Sequence, residues 1–237
     1  MTEETIQKKI DSSLKTRVKS ALIFAPVVLA VIYLGGIPFA LLMIAAAGAG
    51  LYEWMRMVLN EKKHRAIFLL SGCAYISLSI GSMVWLRNDT TQGLHTMLML
   101  LLVVWASDTF AYFTGKAIGG PKLAPKISPN KTWSGFIGSS VGAGIVAAAF
   151  WHPWVLSKFH IITIGDQSGT GYYYFAMGFV LGMFGQAGDL LKSVFKRRYG
   201  LKDTGTLIPG HGGILDRIDA LLMVSLIFGM LAFLLKS

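Results

Sequence analysis

The chain has 237 residues, 54% of them hydrophobic and only 14% charged, with a mean hydropathy of +0.57. That composition excludes a soluble globular domain and points to an all-α, polytopic membrane protein. The formal charge of +10 would suit nucleic acid in a polar chain; in one this apolar it belongs to loops facing anionic lipid, so no nucleic-acid partner is expected.

Residues 5–18 place Ile6, Ile10, Leu14 and Val18 at four-residue spacing among Lys8, Lys9, Lys15 and Arg17. Two readings stand, a short interfacial helix or a frayed tail. The stretch before Lys19 is polar, without the short apolar core of a cleavable signal, so the first apolar run is expected to stay as an anchor. Seven apolar segments follow, over residues 18–35, 37–58, 66–86, 94–116, 135–156, 172–196 and 214–235. Each is near the ~20 residues that cross a bilayer.

The links between these segments alternate in charge. Lys8 to Lys19 precede the first span, and Lys62, Lys63 and Arg65 follow the second. Lys116, Lys122, Lys126 and Lys131 follow the fourth, and Arg197, Arg198 and Lys202 follow the sixth. The opposite side carries Arg87, Lys158 and Lys236. Lysine and arginine collect on the cytoplasmic side, so the N-terminus is expected inside and the C-terminus outside.

Within the spans, Glu53 sits beside Trp54 and Arg56, either as a snorkelling interfacial pair with Arg56 or in support of a site. The lone cysteine, Cys73, lies in an apolar run, cannot form an internal disulfide and reads as a small buried side chain. Asp108 is an acid inside an apolar helix, which favours a role at or beside a site over a purely structural hydrogen bond. The link from Gly119 to Trp133 holds Pro121, Pro125 and Pro129 among lysines, a stiffened anion collector. Gly135, Gly138, Gly142 and Gly144 of the fifth segment are expected to let helices approach closely.

The densest chemistry lies between residues 189 and 219. Asp189, Lys192, Ser193 and Lys196 fall three and four residues apart and share a helix face, as do Asp216 and Asp219. The segment between is polar, so both helix ends should emerge on one side and bring Asp189 to Asp216 and Asp219. Three carboxylates beside a basic loop suit a divalent cation with hard oxygen ligands, and such a cation suits nucleotide phosphate. The glycines flanking His211, namely Gly210, Gly212 and Gly213, let backbone N–H groups approach phosphate oxygens.

Here the chain closely resembles the phosphatidate cytidylyltransferases, or CDP-diacylglycerol synthases. The match runs through Ser193 to Arg197, Lys202-Asp203, Pro209 to Gly213 and Asp216-Arg217-Ile218-Asp219. A second stretch supports it, with Ser107-Asp108-Thr109, Gly115-Lys116, Lys122 to Lys126 and Ser128 to Trp133. The resemblance implies transfer of CMP from CTP to phosphatidate, giving CDP-diacylglycerol and pyrophosphate. The compact length and the lack of a targeting sequence favour a bacterial inner membrane, and the lysine and arginine distribution puts both motif loops, and with them the active site, on the cytoplasmic side. The resemblance also implies Mg²⁺ on Asp189 and Asp216 with Asp219 as a further ligand or anchor, room for a second cation, and a homodimer as an assembly consistent with the family. Lys196, Arg197, Lys202 and Arg217 are then expected to hold phosphates, and the backbone from Gly210 through His211 to Gly213 to cradle them. Ser193 adds a hydroxyl contact, and Asp203 orients the loop or the nucleotide. Lys126, Ser128, Lys131 and Thr132 close over the substrate, near Asp108.

Two positions depart from the pattern: Ser134 and Lys192 stand where many relatives carry Glu. Lys192 reverses a charge one turn from Asp189, with three readings open: it neutralises Asp189, competes with metal, or faces lipid phosphates. The rival classes are a catalytically impaired homologue and a transporter. Against the transporter, the charges crowd toward the cytoplasmic side and the two halves of the chain do not match.

Overall fold

The computed structural model describes residues 22–23, 25–59, 61, 63–88, 92–150, 171–207 and 212–236. Residues 5–18, read as an interfacial helix or a frayed tail, lie outside them, as do the start of the first predicted span and residues 151–170, which include the end of the fifth. Among the described residues the helices are α1 (Ala25–Leu34), α2 (Gly36–Val58), α3 (Arg65–Asn88), α4 (Gly93–Ala117), α5 (Trp133–Ala149), α6 (Gly171–Arg198) and α7 (Leu215–Lys236). Four of them, α2, α3, α4 and α7, are long and apolar enough to cross a membrane. α5 is apolar but only 17 residues long. α6 runs 28 residues and ends in Lys196, Arg197 and Arg198. The protein is thus a helical membrane protein. Its outward faces carry exposed Ile37, Leu41, Ile44 and Leu70 while Phe39, Ile76, Met83 and Phe228 fill the interior, an arrangement suited to lipid outside.

Helix α1 stops at Gly35, whose φ of +63° favours glycine. The Arg87 guanidinium at the end of α3 fills the space a side chain would need there. Its Nε donates to the Ile32 carbonyl at 2.7 Å and its Nη2 to the Tyr33 carbonyl at 2.8 Å, which satisfies the last carbonyls of α1. Pro38 in the first turn of α2 then restarts the helix at no hydrogen-bond cost.

Around the bundle α2 packs on α3, α3 on α7, α7 on α6, α6 on α5 and α5 on α4, and α4 also touches α3, α6 and α7. The α4–α5–α6 contacts are close because small residues face each other, as the glycines of the fifth segment led us to expect. A Cβ on Gly182 of α6 would stand 2.8 Å from the Ala143 methyl of α5, and one on Gly135 would stand 2.9 Å from the Ala111 carbonyl of α4.

One element departs from the all-helical expectation. The proline-rich link folds as an antiparallel hairpin, β1 (Lys122–Ala124) and β2 (Ser128–Thr132), pairing Lys122 with Thr132 and Ala124 with Ser128. Strands this short carry no readable alternation, and the three prolines mark only a stiffened link. The prolines fit because none is among the paired residues. The hairpin is welded to α5: Thr132 caps that helix by accepting from the Gly135 N–H at 3.1 Å, and Trp133 N–H donates to the Pro121 carbonyl. Ser134 donates to the Gly119 carbonyl at 2.5 Å. The unusual serine thus ties the start of α5 to the end of α4.

Candidate active site

The second half of α6 and the first turns of α7 come together, and the loop between them folds back onto α7. Asp216, in the first turn of α7, turns one carboxylate oxygen to that loop. Its Oδ2 accepts from Thr204 N–H at 2.8 Å and from Gly213 N–H at 3.3 Å. The exposed N–H groups at a helix start and the positive end of the helix dipole favour an anion there. Gly212, at φ +85°, and Gly213 are required by this turn: a Cβ on Gly213 would collide with Thr204 and Glu53.

Glu53 completes the same turn from α2. It is 1% exposed. Its Oε1 accepts from Ile214 N–H at 2.9 Å and its Oε2 from Leu215 N–H at 3.1 Å. The Thr204 hydroxyl stands 2.9 Å from Glu53 Oε2 and 3.0 Å from Asp216 Oδ2, and its single proton serves one of them at a time. This overturns the snorkelling-pair reading of Glu53. Arg56 lies instead over the Tyr52 ring at 5.7 Å.

The three aspartates expected to converge do so, around an ammonium group. Lys192 Nζ lies 3.5 Å from Asp189 Oδ1 and 3.4 Å from Asp216 Oδ1, and pairs still more closely with Asp219. Lys196 pairs with Asp216 Oδ1 at 2.8 Å. From the hairpin, Lys131 reaches Asp189 Oδ2 at 2.5 Å and donates to Gln186 Oε1 at 2.7 Å. Gln186 in turn donates from its amide to Asp108 Oδ1 at 3.3 Å, so hairpin, α4 and α6 are joined through one polar chain.

The remaining sequence-predicted residues divide. Ser193 is half-buried on the face of α6 that carries Asp189. Arg197 donates to the Ile127 carbonyl of the hairpin turn at 3.2 Å, which brings that turn to the end of α6. Lys126, Lys202, Asp203 and Arg217 are exposed, and Ser128 is half-buried in β2. Thr132 is buried as the helix cap, so its hydroxyl is already engaged. Gly210 and His211 lie outside the described residues. Sequence reading missed Thr204, Gln186 and Glu61. Gln186 left a faint signal, a polar residue three before Asp189 in a glycine and apolar run. Glu61, in the link after α2, accepts from Arg198 Nε at 2.9 Å, and this bond holds its carboxyl below the usual carboxylate pKa.

Two cavities flank the cluster. A polar one of about 450 Å³ lies between α4, the hairpin, α5 and α6, and includes Asp108, Lys116, Lys131, Gln186 and Asp189. An apolar one of about 270 Å³ lies between α2, α3, α6 and α7, and includes Trp54, Tyr75, Phe195, Lys192 and Asp219. Among the described residues no set of three or more His, Cys, Asp or Glu side chains stands open to a metal ion, because the Lys192 ammonium holds the point where the carboxylates meet. In donor chemistry the aspartates suit a divalent ion, since carboxylate oxygens are the hard ligands that Mg²⁺ takes, one or two at a time beside phosphate.

Residues 59–235 match the cytidylyltransferase family. A phosphatidate cytidylyltransferase of Brucella abortus is 34% identical over 257 residues, covering 89% of this chain and 90% of that protein. One of Rickettsia bellii is 34% identical over 227 residues, covering 94% and 92%, and one of Rickettsia typhi is 36% identical over 190 residues, covering 80% and 79%.

Proposed function

The chain belongs to the cytidylyltransferase family, and on that footing we propose that it transfers CMP from CTP to phosphatidate, releasing pyrophosphate and forming CDP-diacylglycerol. The observation that carries the reading is the meeting of Asp189, Asp216 and Asp219 with Lys131, Lys192 and Lys196 beside a polar cavity. An oxygen of the phosphatidate phosphate attacks the α-phosphorus of CTP, and the bond from that phosphorus to the bridging oxygen breaks, leaving pyrophosphate. The attacking oxygen is already anionic, so no strong general base is needed; the barrier lies in bringing two polyanions together and in the charge that develops on pyrophosphate. Lys116 and Lys131 line the cavity where the triphosphate lies. Lys196 and the exposed Arg197, Lys202 and Arg217 lie around the same helix ends and attract phosphate. The acyl chains stay in the lipid leaflet while the head group enters from the side.

Asp189, Asp216 and Asp219 would hold Mg²⁺, which when bound supplies positive charge to the phosphates. Purified protein in detergent should convert phosphatidate and CTP to CDP-diacylglycerol, lose that turnover in EDTA and regain it with Mg²⁺. No product under any divalent ion would sink the reading.

The remaining helices complete seven spans in a bacterial inner membrane, with the N-terminus and the hairpin on the cytoplasmic side. Support comes from the lysine and arginine distribution and from four membrane-length helices already in place. Because Cys73 is the sole cysteine, a Cys73→Ser chain carrying Lys126→Cys reports the side directly. An impermeant maleimide should label it in inverted vesicles and leave it unlabelled in intact cells; labelling of intact cells would reverse the topology.

A further inference from the structure

We propose that Lys192 is a built-in counter-ion of the carboxylate triad, holding the place of a cation there and weakening divalent-ion binding by this chain. The inference rests on the triad being the metal site of the reaction proposed above.

The Lys192 ammonium is within ion-pair reach of all three aspartates and donates in addition to the Asp216 backbone carbonyl at 3.4 Å. The Lys192 side chain is 12% exposed, so little solvent competes for these contacts. With Lys131 on Asp189 and Lys196 on Asp216, three ammonium groups face three carboxylates. Each aspartate of the triad is paired with an ammonium group before any metal arrives. An incoming divalent ion therefore competes with those pairs and lies next to a fixed positive charge, and both reduce its affinity.

Lys192 also has little reason to leave. The open volume beside it is the mostly apolar cavity walled by Trp54, Tyr75, Phe195 and Leu222, with Asp219 among its lining residues, and an ammonium moving there would leave Asp189 and Asp216 for largely apolar surroundings. The geometry thus favours neutralisation of the aspartates over an outward-facing contact with lipid phosphates.

The test is Mn²⁺ binding to the full-length purified protein without substrates, followed through the electron paramagnetic resonance signal of free Mn²⁺. Lys192→Met keeps an unbranched side chain one atom shorter and removes the charge. It should bind Mn²⁺ about tenfold or more tightly than the parent, as expected for removing a like charge within a few ångströms. Lys192→Glu should bind more tightly still, and Lys192→Arg should match the parent. Lys192→Gln, which keeps a donor for the carboxylates, replaces the methionine variant if that one fails to fold. Equal Mn²⁺ affinity in parent and neutral variant overturns the inference. Turnover of the unmodified protein is scored separately: CDP-diacylglycerol formation with flat Mn²⁺ affinities removes the role of Lys192 and leaves the enzyme. The affinity ladder without turnover keeps Lys192 and removes the reaction.

Discussion

Asp216→Asn is expected to lower CDP-diacylglycerol formation by about a hundredfold to a thousandfold, the range seen when one group aimed at developing phosphate or oxyanion charge is lost. Both oxygens of Asp216 are committed. Oδ1 accepts from Lys196 and lies 3.4 Å from Lys192, while Oδ2 accepts from the N–H groups of Thr204 and Gly213. An asparagine offers one acceptor where the site needs two, and its NH₂ must point either at two ammonium groups or at two backbone donors. The change therefore removes the metal ligand proposed above and takes from Lys196 its carboxylate partner in one step. Initial rates at saturating CTP and Mg²⁺, with thermal unfolding in detergent as the folding control, check this. A folded Asp216→Asn protein within about threefold of the parent rate would remove Asp216 from the reaction.

Glu53→Ala is expected to cost about 3 kcal/mol or more of stability. It strands the Ile214 and Leu215 N–H groups at the buried start of α7 and removes a partner of Thr204, and each buried unsatisfied donor costs roughly 1–3 kcal/mol. The loss spreads to the site, because Thr204 is also the contact of Asp216. Glu53→Gln retains one acceptor oxygen and should fall between the parent and the alanine variant. Unfolding midpoints in one detergent, read beside the rate, decide it: an alanine variant as stable as the parent would show that the turn does not depend on Glu53.

These two residues differ in how visible they are from sequence. Asp216 announces itself through its spacing to Asp219 and through the motif around it, both local in the chain. Glu53 is 151 residues from Thr204, and one acid next to Trp54 and Arg56 carries no mark of its partner. Its burial, and so its role as the anchor of the turn, follows from α2 lying against the start of α7.

The same division runs through the whole protein. Composition and hydropathy alone were enough to establish a helical membrane protein, because lipid admits few other structures for long apolar segments. Residue spacing placed Asp189 and Lys192 on one face of α6, and Asp216 and Asp219 on one face of α7, since helix periodicity is a property of adjacent residues. The family signature was legible for the same reason, as contiguous strings of residues. Only the tertiary structure decided that Lys192 stands inside the triad, that Lys131 reaches across from a hairpin to Asp189, and that Gln186 links Lys131 to Asp108. Those contacts depend on how closely α4, α5 and α6 approach and on where each side chain ends in space. That is set by packing between segments distant in the chain, which no local pattern encodes.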